Sequence, residues 1–190
     1  MKDRSVFLDR DGVLVIPEFR DGRSYAPRSL DRFALYPAAA PALAALKAAG
    51  FRIIVVSNQP DVGNGLVERA VVEDMNRILA ATLPVDAVLC CYHSQKEACA
   101  CRKPKPGMLQ EAAHRFSLDL SASFMVGDRA SDVEAGRAAG TRTVFIDLGY
   151  TREPRPEAPD WVVTDVAAAS AVILANGDDP AGSISPTFPS

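Results

Sequence analysis

The chain has 190 residues, 48% of them hydrophobic and 24% charged, the scale of one globular domain around a single core. A formal net charge of −3, with basic residues scattered and not interleaved with aromatics, excludes the usual footprint of a nucleic-acid binder. No stretch approaches the ~18 apolar residues of a membrane helix, and the opening MKDRSVFLDRDG has neither an apolar h-region nor a small-residue cleavage site, so the expectation is a cytoplasmic protein with no nucleic-acid or membrane partner. A monomer is expected separately.

In chain order, SVFLD (5–9) reads as a strand. PAAAPALAALKAAG (37–50), rich in alanine and leucine and ended by Gly50, reads as a helix. FRIIVVSN (51–58) is strand-like, 68–82 carries helical spacing, and DAVLCCY (86–92) is strand-like again. GMLQEAAHRFSL (107–118) follows Pro106, a good first-turn residue, and reads as a helix. SFMVGD (123–128), SDVEAGRAAG (131–140) and TRTVFID (141–147) then give strand, helix and strand, and DWVVT (160–164) with VAAASAVILA (166–175) gives a last pair.

This alternation, with near-continuous apolar strands, predicts an α/β fold: one parallel sheet with helices on both faces, spanning 1–175. The polar, Pro/Ser-rich tail 176–190 is expected to be disordered. About two dozen residues between Gly12 and Pro37 are too few for a helical cap domain.

Ligands of open α/β sheets bind outside the carboxyl ends of the strands, so each strand end is a place to look for chemistry. The first strand ends in Asp9, with Asp11 two residues on, where extended backbone sets both carboxylates on one side. The second ends in Ser57 and Asn58, and another ends in Asp128 with Asp132 a helical turn beyond. Carboxylate oxygens of this kind suit Mg²⁺, and Ser57 and Lys103 can supply a hydroxyl and a positive charge to a phosphate. Singly, each residue has an ordinary explanation as a solvated acidic turn, a helix cap, a turn former or a surface lysine. Their recurrence on successive strand ends is what points to a site.

FLDRDGVL, VVSNQ, CRKPKPG and GDRASD resemble the four motifs of the haloacid dehalogenase superfamily of aspartate-nucleophile phosphatases, over about 6–174. The resemblance implies a Rossmann-like domain with a minimal cap. It makes Asp9 the nucleophile and Asp11 the general acid/base, with Ser57 and Lys103 holding the phosphoryl group. Mg²⁺ is then held by Asp9, the Asp11 carbonyl and Asp128, and Asn58, Gln59, Arg102 and Arg129 contact substrate. A carboxylate nucleophile divides a very slow hydrolysis into two steps, and a cation offsets the repulsion between carboxylate and phosphate.

All four cysteines lie within 90–101. In a reducing cytosol such a cluster reads as a metal site before it reads as disulfides. Cys91, His93, Cys99 and Cys101 supply the four donors of a closed tetrahedral Zn²⁺ site. Cys90 in place of Cys91 is the rival set, disfavoured because Cys90 is out of phase with the Cys91/His93 pair and is expected to point into the core. A zinc loop (91–101) ending in CRKP resembles the subgroup of heptose bisphosphate phosphatases and histidinol-phosphate phosphatase domains. There the zinc is structural, which implies that it positions Arg102 and Lys103.

The five-residue spacer between His93 and Cys99 and GDRASD look like the histidinol-phosphate side, while LYPAAAPALAALKAAGFRIIVVSNQ and PKPGM look like the heptose side. Pro60-Asp61 after SNQ and the missing glycine after Pro37 depart from the pattern. Arg20, Arg23 and Arg28 form a basic loop that can face an anionic substrate. The favoured substrate is a small phosphorylated metabolite: a seven-carbon sugar bisphosphate, D-glycero-D-manno-heptose 1,7-bisphosphate, cleaved at the primary 7-phosphate. Histidinol phosphate is second, and a non-catalytic sugar-phosphate-binding protein is the alternative of a different class.

Overall fold

Short apolar runs form the strands and the alanine- and leucine-rich segments the helices, as the computed structural model shows for residues 3–177. β1 (Ser5–Leu8), β4 (Arg52–Asn58), β5 (Ala87–Cys91), β6 (Phe124–Gly127), β7 (Arg142–Ile146) and β8 (Trp161–Val163) make one six-stranded sheet in the order β5-β4-β1-β6-β7-β8. Every pairing in it is parallel, with β1 between β4 (Ser5 opposite Arg52) and β6 (Val6 opposite Phe124).

Side chains alternate across the strands, so the sheet has two apolar faces. Val6, Leu8, Ile53, Val55, Phe124 and Val126 pack with Leu43 and Leu46 of α1 (Ala39–Ala48) and Ile173 of α6 (Val166–Asn176). Phe7, Ile54, Val56 and Met125 pack with Met108 and Leu109 of α4 (Gly107–Phe116) and Ala135 of α5 (Ala130–Ala139). α2 (Pro60–Gly63) follows β4 directly, and α3 (Arg69–Thr82) buries Val72, Met75 and Leu79. The predicted elements are all present, with ends moved by one or two residues. Of the expected tail, Asn176 closes α6, and 178–190 lie outside the described residues. Among the described residues no helix is long and apolar enough to cross a membrane.

Besides short helical turns such as α2, the structure adds a hairpin that periodicity left unassigned. β2 (Glu18–Arg20) and β3 (Arg23–Tyr25) form an antiparallel hairpin over a two-residue turn. Asp21 (φ 51°) and Gly22 (φ 74°) both take left-handed backbone there, the geometry of a type I′ turn, for which Asp-Gly is a favoured pair. A local signal was therefore present. Three-residue strands are simply too short to show alternation.

The chain runs from β1 outward to β4 and β5, then returns to the other side of β1 at β6. This reversal opens a crevice at the carboxyl ends of β1, β4 and β6, the place where open α/β sheets bind ligands. Because the crevice rests on a close-packed core, Leu43→Ala, which empties a fully buried position of α1, is expected to cost ~2–5 kcal/mol of unfolding free energy, measured by urea denaturation.

Candidate active site and zinc cluster

Asp9 lies just past β1, held by its own N–H to the Val126 carbonyl at 2.9 Å. The chain then curls tightly, with the N–H groups of Leu14 and Val15 both returning to the Arg10 carbonyl at 2.9 Å. Gly12 (φ 90°) makes the curl possible, and a Cβ there would lie 2.2 Å from Asp128 Oδ2. Asp128 can thus approach only bare backbone at this point.

Lys103 reaches into the crevice with its side chain 1% exposed. Its Nζ lies 2.8 Å from Asp9 Oδ1, 2.6 Å from Asp132 Oδ1 and 2.7 Å from the Val56 carbonyl. Burial alone would lower this ammonium's pKa, but Asp132 and Asp9 outweigh burial and raise it. Lys103 is therefore a fixed positive charge. Asp132 does double duty, since its Oδ2 accepts the Arg129 N–H at 3.0 Å at the start of α5.

Asp9, Asp128 and Asp132 bring carboxylate oxygens within 4.8 Å of one another. Asp128 Oδ1 is buried with no hydrogen-bond partner among the described residues, an arrangement that costs free energy unless something binds there. Burial and repulsion from Asp9 and Asp132 push Asp128 well above the usual carboxylate range. With all three carboxylates ionised, one ammonium leaves two negative charges over, and that repulsion adds to burial in raising Asp128 when no cation is bound. One divalent cation with hard oxygen preference, such as Mg²⁺, matches both the charge and the open oxygen. Tyr150 occupies the other Asp128 oxygen, its hydroxyl donating to Oδ2 at 2.6 Å. Burial and the Asp128 charge raise Tyr150, so that hydroxyl stays protonated.

Asp11 has a separate environment. The wholly buried Arg10 grips it with two N–H groups at 3.1 Å and anchors its own Nη1 on Asn76 Oδ1 of α3 at 3.0 Å. Gln59 Nε2 donates to Asp11 Oδ2 at 2.6 Å and to Ser57 Oγ at 2.9 Å. Burial raises the Asp11 carboxyl despite Arg10, the direction a proton donor near neutral pH requires.

The zinc cluster lies beyond β5. Cys91 Sγ is 3.5 Å from His93 Nδ1 and 3.8 Å from Cys99 Sγ, and Cys101 Sγ is 3.4 Å from the same Nδ1. A tetrahedral Zn²⁺ with Zn–S of about 2.3 Å and Zn–N of about 2.0–2.1 Å implies S···S edges of about 3.8 Å and S···N edges of about 3.5 Å. These three separations match those edges, and all four donors lie within 4.8 Å of one another. Without a cation, burial and the neighbouring thiols push Cys101 up to about 12, and bound zinc would offset the cost of ionising them. Cys90 faces the opposite side of β5, as alternation requires. There it is partly exposed beside Asn76 and Tyr92 in a cleft against α3, and not in the core as expected.

The chain matches the HAD-hydrolase-like family model over residues 100–169. It is 33% identical over 178 residues to the D-glycero-beta-D-manno-heptose-1,7-bisphosphate 7-phosphatase of Pseudomonas aeruginosa, covering 89% of this chain and 97% of that protein. The chain belongs to the haloacid dehalogenase-like hydrolases. The Escherichia coli K12 protein of the same name is 32% identical, covering 86% of this chain and 90% of its own. The D,D-heptose 1,7-bisphosphate phosphatase of B. bronchiseptica, solved with magnesium and phosphate, superposes with a TM-score of 0.76 at 31% identity, covering 91% and 99% of the two chains.

Within this haloacid dehalogenase-like frame, the fold brings together Asp9, Asp11, Ser57, Lys103 and Asp128 as the sequence proposed. The residues expected to contact substrate have partners within the chain. Asn58 exchanges two hydrogen bonds with the Lys103 backbone, at 3.0 and 3.1 Å, and Gln59 is buried against Asp11, so both hold the site's other residues. Arg102 donates to the His93 carbonyl at 3.3 Å. Arg129 donates to Ser24 O and Oγ at 2.7 and 2.8 Å, which ties it to the hairpin. Of the basic loop, Arg20 lies over Tyr25 and Arg28 pairs with Asp61 at 2.7 Å. Sequence reasoning missed Arg10, Tyr150 and Asp132 as the lysine's partner. Asp132 had a signal, its place one helical turn after Asp128, whereas Tyr150 sits in a loop without a motif.

The cluster makes a direct prediction. Purified protein should contain one zinc per chain by elemental analysis, and chelation should lower both Tm and activity. Full activity in protein with no zinc would overturn the site.

Proposed function

We propose that the chain is a Mg²⁺-dependent phosphomonoester hydrolase that removes the 7-phosphate of D-glycero-D-manno-heptose 1,7-bisphosphate through an aspartyl-phosphate. The observation that carries this reading is Asp9 held beside Lys103, in a buried mouth where Asp128 keeps one oxygen without a partner. The names and full-length coverage of the relatives support the heptose substrate.

Asp9, Asp128 and the Asp11 carbonyl would hold Mg²⁺, which when bound supplies positive charge that lets a carboxylate approach a phosphate. Lys103 adds a second fixed charge beside Asp9 Oδ1. Ser57 Oγ accepts from Gln59, which leaves its O–H free to donate to a phosphoryl oxygen. A carboxylate oxygen of Asp9 attacks phosphorus while the bond to the sugar oxygen breaks, and Asp11 gives that oxygen its proton. Asp11, now ionised, takes a proton from water as the water attacks the aspartyl-phosphate, which frees Asp9 and inorganic phosphate. Arg10 and Gln59 hold the Asp11 carboxyl in place through both steps.

The reading includes a monomer in a reducing cytoplasm, where zinc-binding thiols stay reduced. Zinc has a structural part: it ties down the loop that ends in Arg102 and Lys103.

Asp9→Asn is expected to abolish Mg²⁺-dependent phosphate release while the circular dichroism spectrum stays native; wild-type-like turnover sinks the mechanism. A panel of heptose bisphosphates, histidinol phosphate and common sugar phosphates should rank D-glycero-D-manno-heptose 1,7-bisphosphate first by kcat/KM. Histidinol phosphate at the top would replace the substrate, and no release from any of them would favour a binding protein.

A further inference from the structure

The loop after β7 carries a side chain that no motif announces. Tyr150 donates its hydroxyl to Asp128 Oδ2 at 2.6 Å. The same oxygen rests on the bare backbone of Gly12, where a Cβ would come within 2.2 Å of it. Asp128 Oδ1 is the buried oxygen with no partner. One carboxylate is thus held by one oxygen and left open at the other, and that carboxylate belongs to the cluster with Asp9 and Asp132.

Tyr150 is itself supported. The Phe19 ring on β2 stacks on it, with centroids 5.7 Å apart and planes at 23°. The hairpin carrying Phe19 is fastened on both sides of Asp128's neighbourhood. Arg129, the residue after Asp128, donates twice to Ser24, and the Arg152 N–H donates to the Gly22 carbonyl at 3.1 Å.

We propose that Tyr150 is a positioning residue for the metal ligand Asp128: by engaging Oδ2 it presents Oδ1 to the cation, and the β2–β3 hairpin, through Phe19, keeps Tyr150 in that place. This rests on the reading of Asp128 as a Mg²⁺ ligand. The physical reason is that a carboxylate free to rotate loses orientational entropy when it ligates, whereas one already bonded through its other oxygen does not. Hydrogen bonds of this outer kind are worth about 10–100-fold in metal affinity elsewhere.

The test separates the hydroxyl from the ring. Tyr150→Phe keeps the stack on Phe19 and removes only the donor. Mg²⁺ binding is measured by isothermal titration calorimetry on wild-type protein and the variant, with zinc content and circular dichroism recorded for both. The expected result is a Kd for Mg²⁺ raised about 10–100-fold, with zinc content unchanged and most turnover restored at saturating Mg²⁺. Phe19→Ala, at a side chain that is 57% exposed, should raise Kd in the same direction by a smaller factor, and it tests the proposal even if Tyr150→Phe does not fold. A Mg²⁺ Kd within twofold of wild type in the variants overturns the inference while leaving the phosphatase reading standing. Wild-type protein that binds no Mg²⁺ at all overturns both.

Discussion

A buried ammonium ties the mouth of this protein together. Lys103 meets Asp9 at the end of β1, the Val56 carbonyl in β4 and Asp132 in the first turn of α5, all within 2.8 Å. A charge taken out of water is costly unless it is paired and fully hydrogen-bonded, and three oxygen partners satisfy the three donors of an ammonium. The same pairing constrains everything around it. Removing Lys103 would leave Asp9 and Asp132 facing each other as buried like charges with Asp128 beside them. Even with Lys103 present the group carries excess negative charge, which is why a divalent cation suits it.

Holding a lysine in that position demands a rigid approach from the surface, and the zinc loop provides it. Cys91 ends β5 and so is fixed by the sheet, while Cys99 and Cys101 lie on the loop that leads to Lys103. Asn58 clamps the Lys103 backbone in both directions. At the far end of the turn, a Cβ on Gly107 would lie 2.2 Å from the Ala100 carbonyl, so α4 begins in contact with the loop. The lysine is therefore bounded by a cluster of three thiols and an imidazole before it, an amide clamp beside it and a helix start behind it. The loop's role is mechanical, and its four donors leave no open coordination position for chemistry.

Two carboxylates two residues apart lie in different surroundings. Asp9 is beside an ammonium and two other acids. Asp11 is gripped by Arg10 and Gln59 in a buried place that favours its protonated form. Environment rather than residue type is what could divide a nucleophile from an acid here. Arg10 shows how far this support extends, since it joins Asp11 to Asn76 on α3, a helix that carries none of the motifs.

What was legible in the residues was what repeats locally. The strands were visible as apolar runs, the helices as alanine- and leucine-rich spacing, and the strand ends as positions where acids and a serine interrupt those runs. The zinc donors were legible because four ligands within eleven residues can converge without help from distant chain. The β2–β3 hairpin was not, because three-residue strands carry no periodicity. Cys90 was misplaced because alternation says only that it opposes Cys91, and not whether core or a partly open cleft lies on that side.

The sequence by itself thus determined the α/β class, the order of the elements, the acids at the strand ends and the convergence of three thiols with an imidazole, all consequences of short-range pattern and spacing. Only the tertiary structure decided which of those groups touch. Lys103 and Asp9 are 94 positions apart, and Tyr150 meets Asp128 across a loop with no motif. Arg129 turned out to be fastened to a hairpin 105 positions away. Such contacts follow from the way the sheet reverses at β1 and closes its loops over one crevice, and pairings made by long-range packing leave no local trace in the chain.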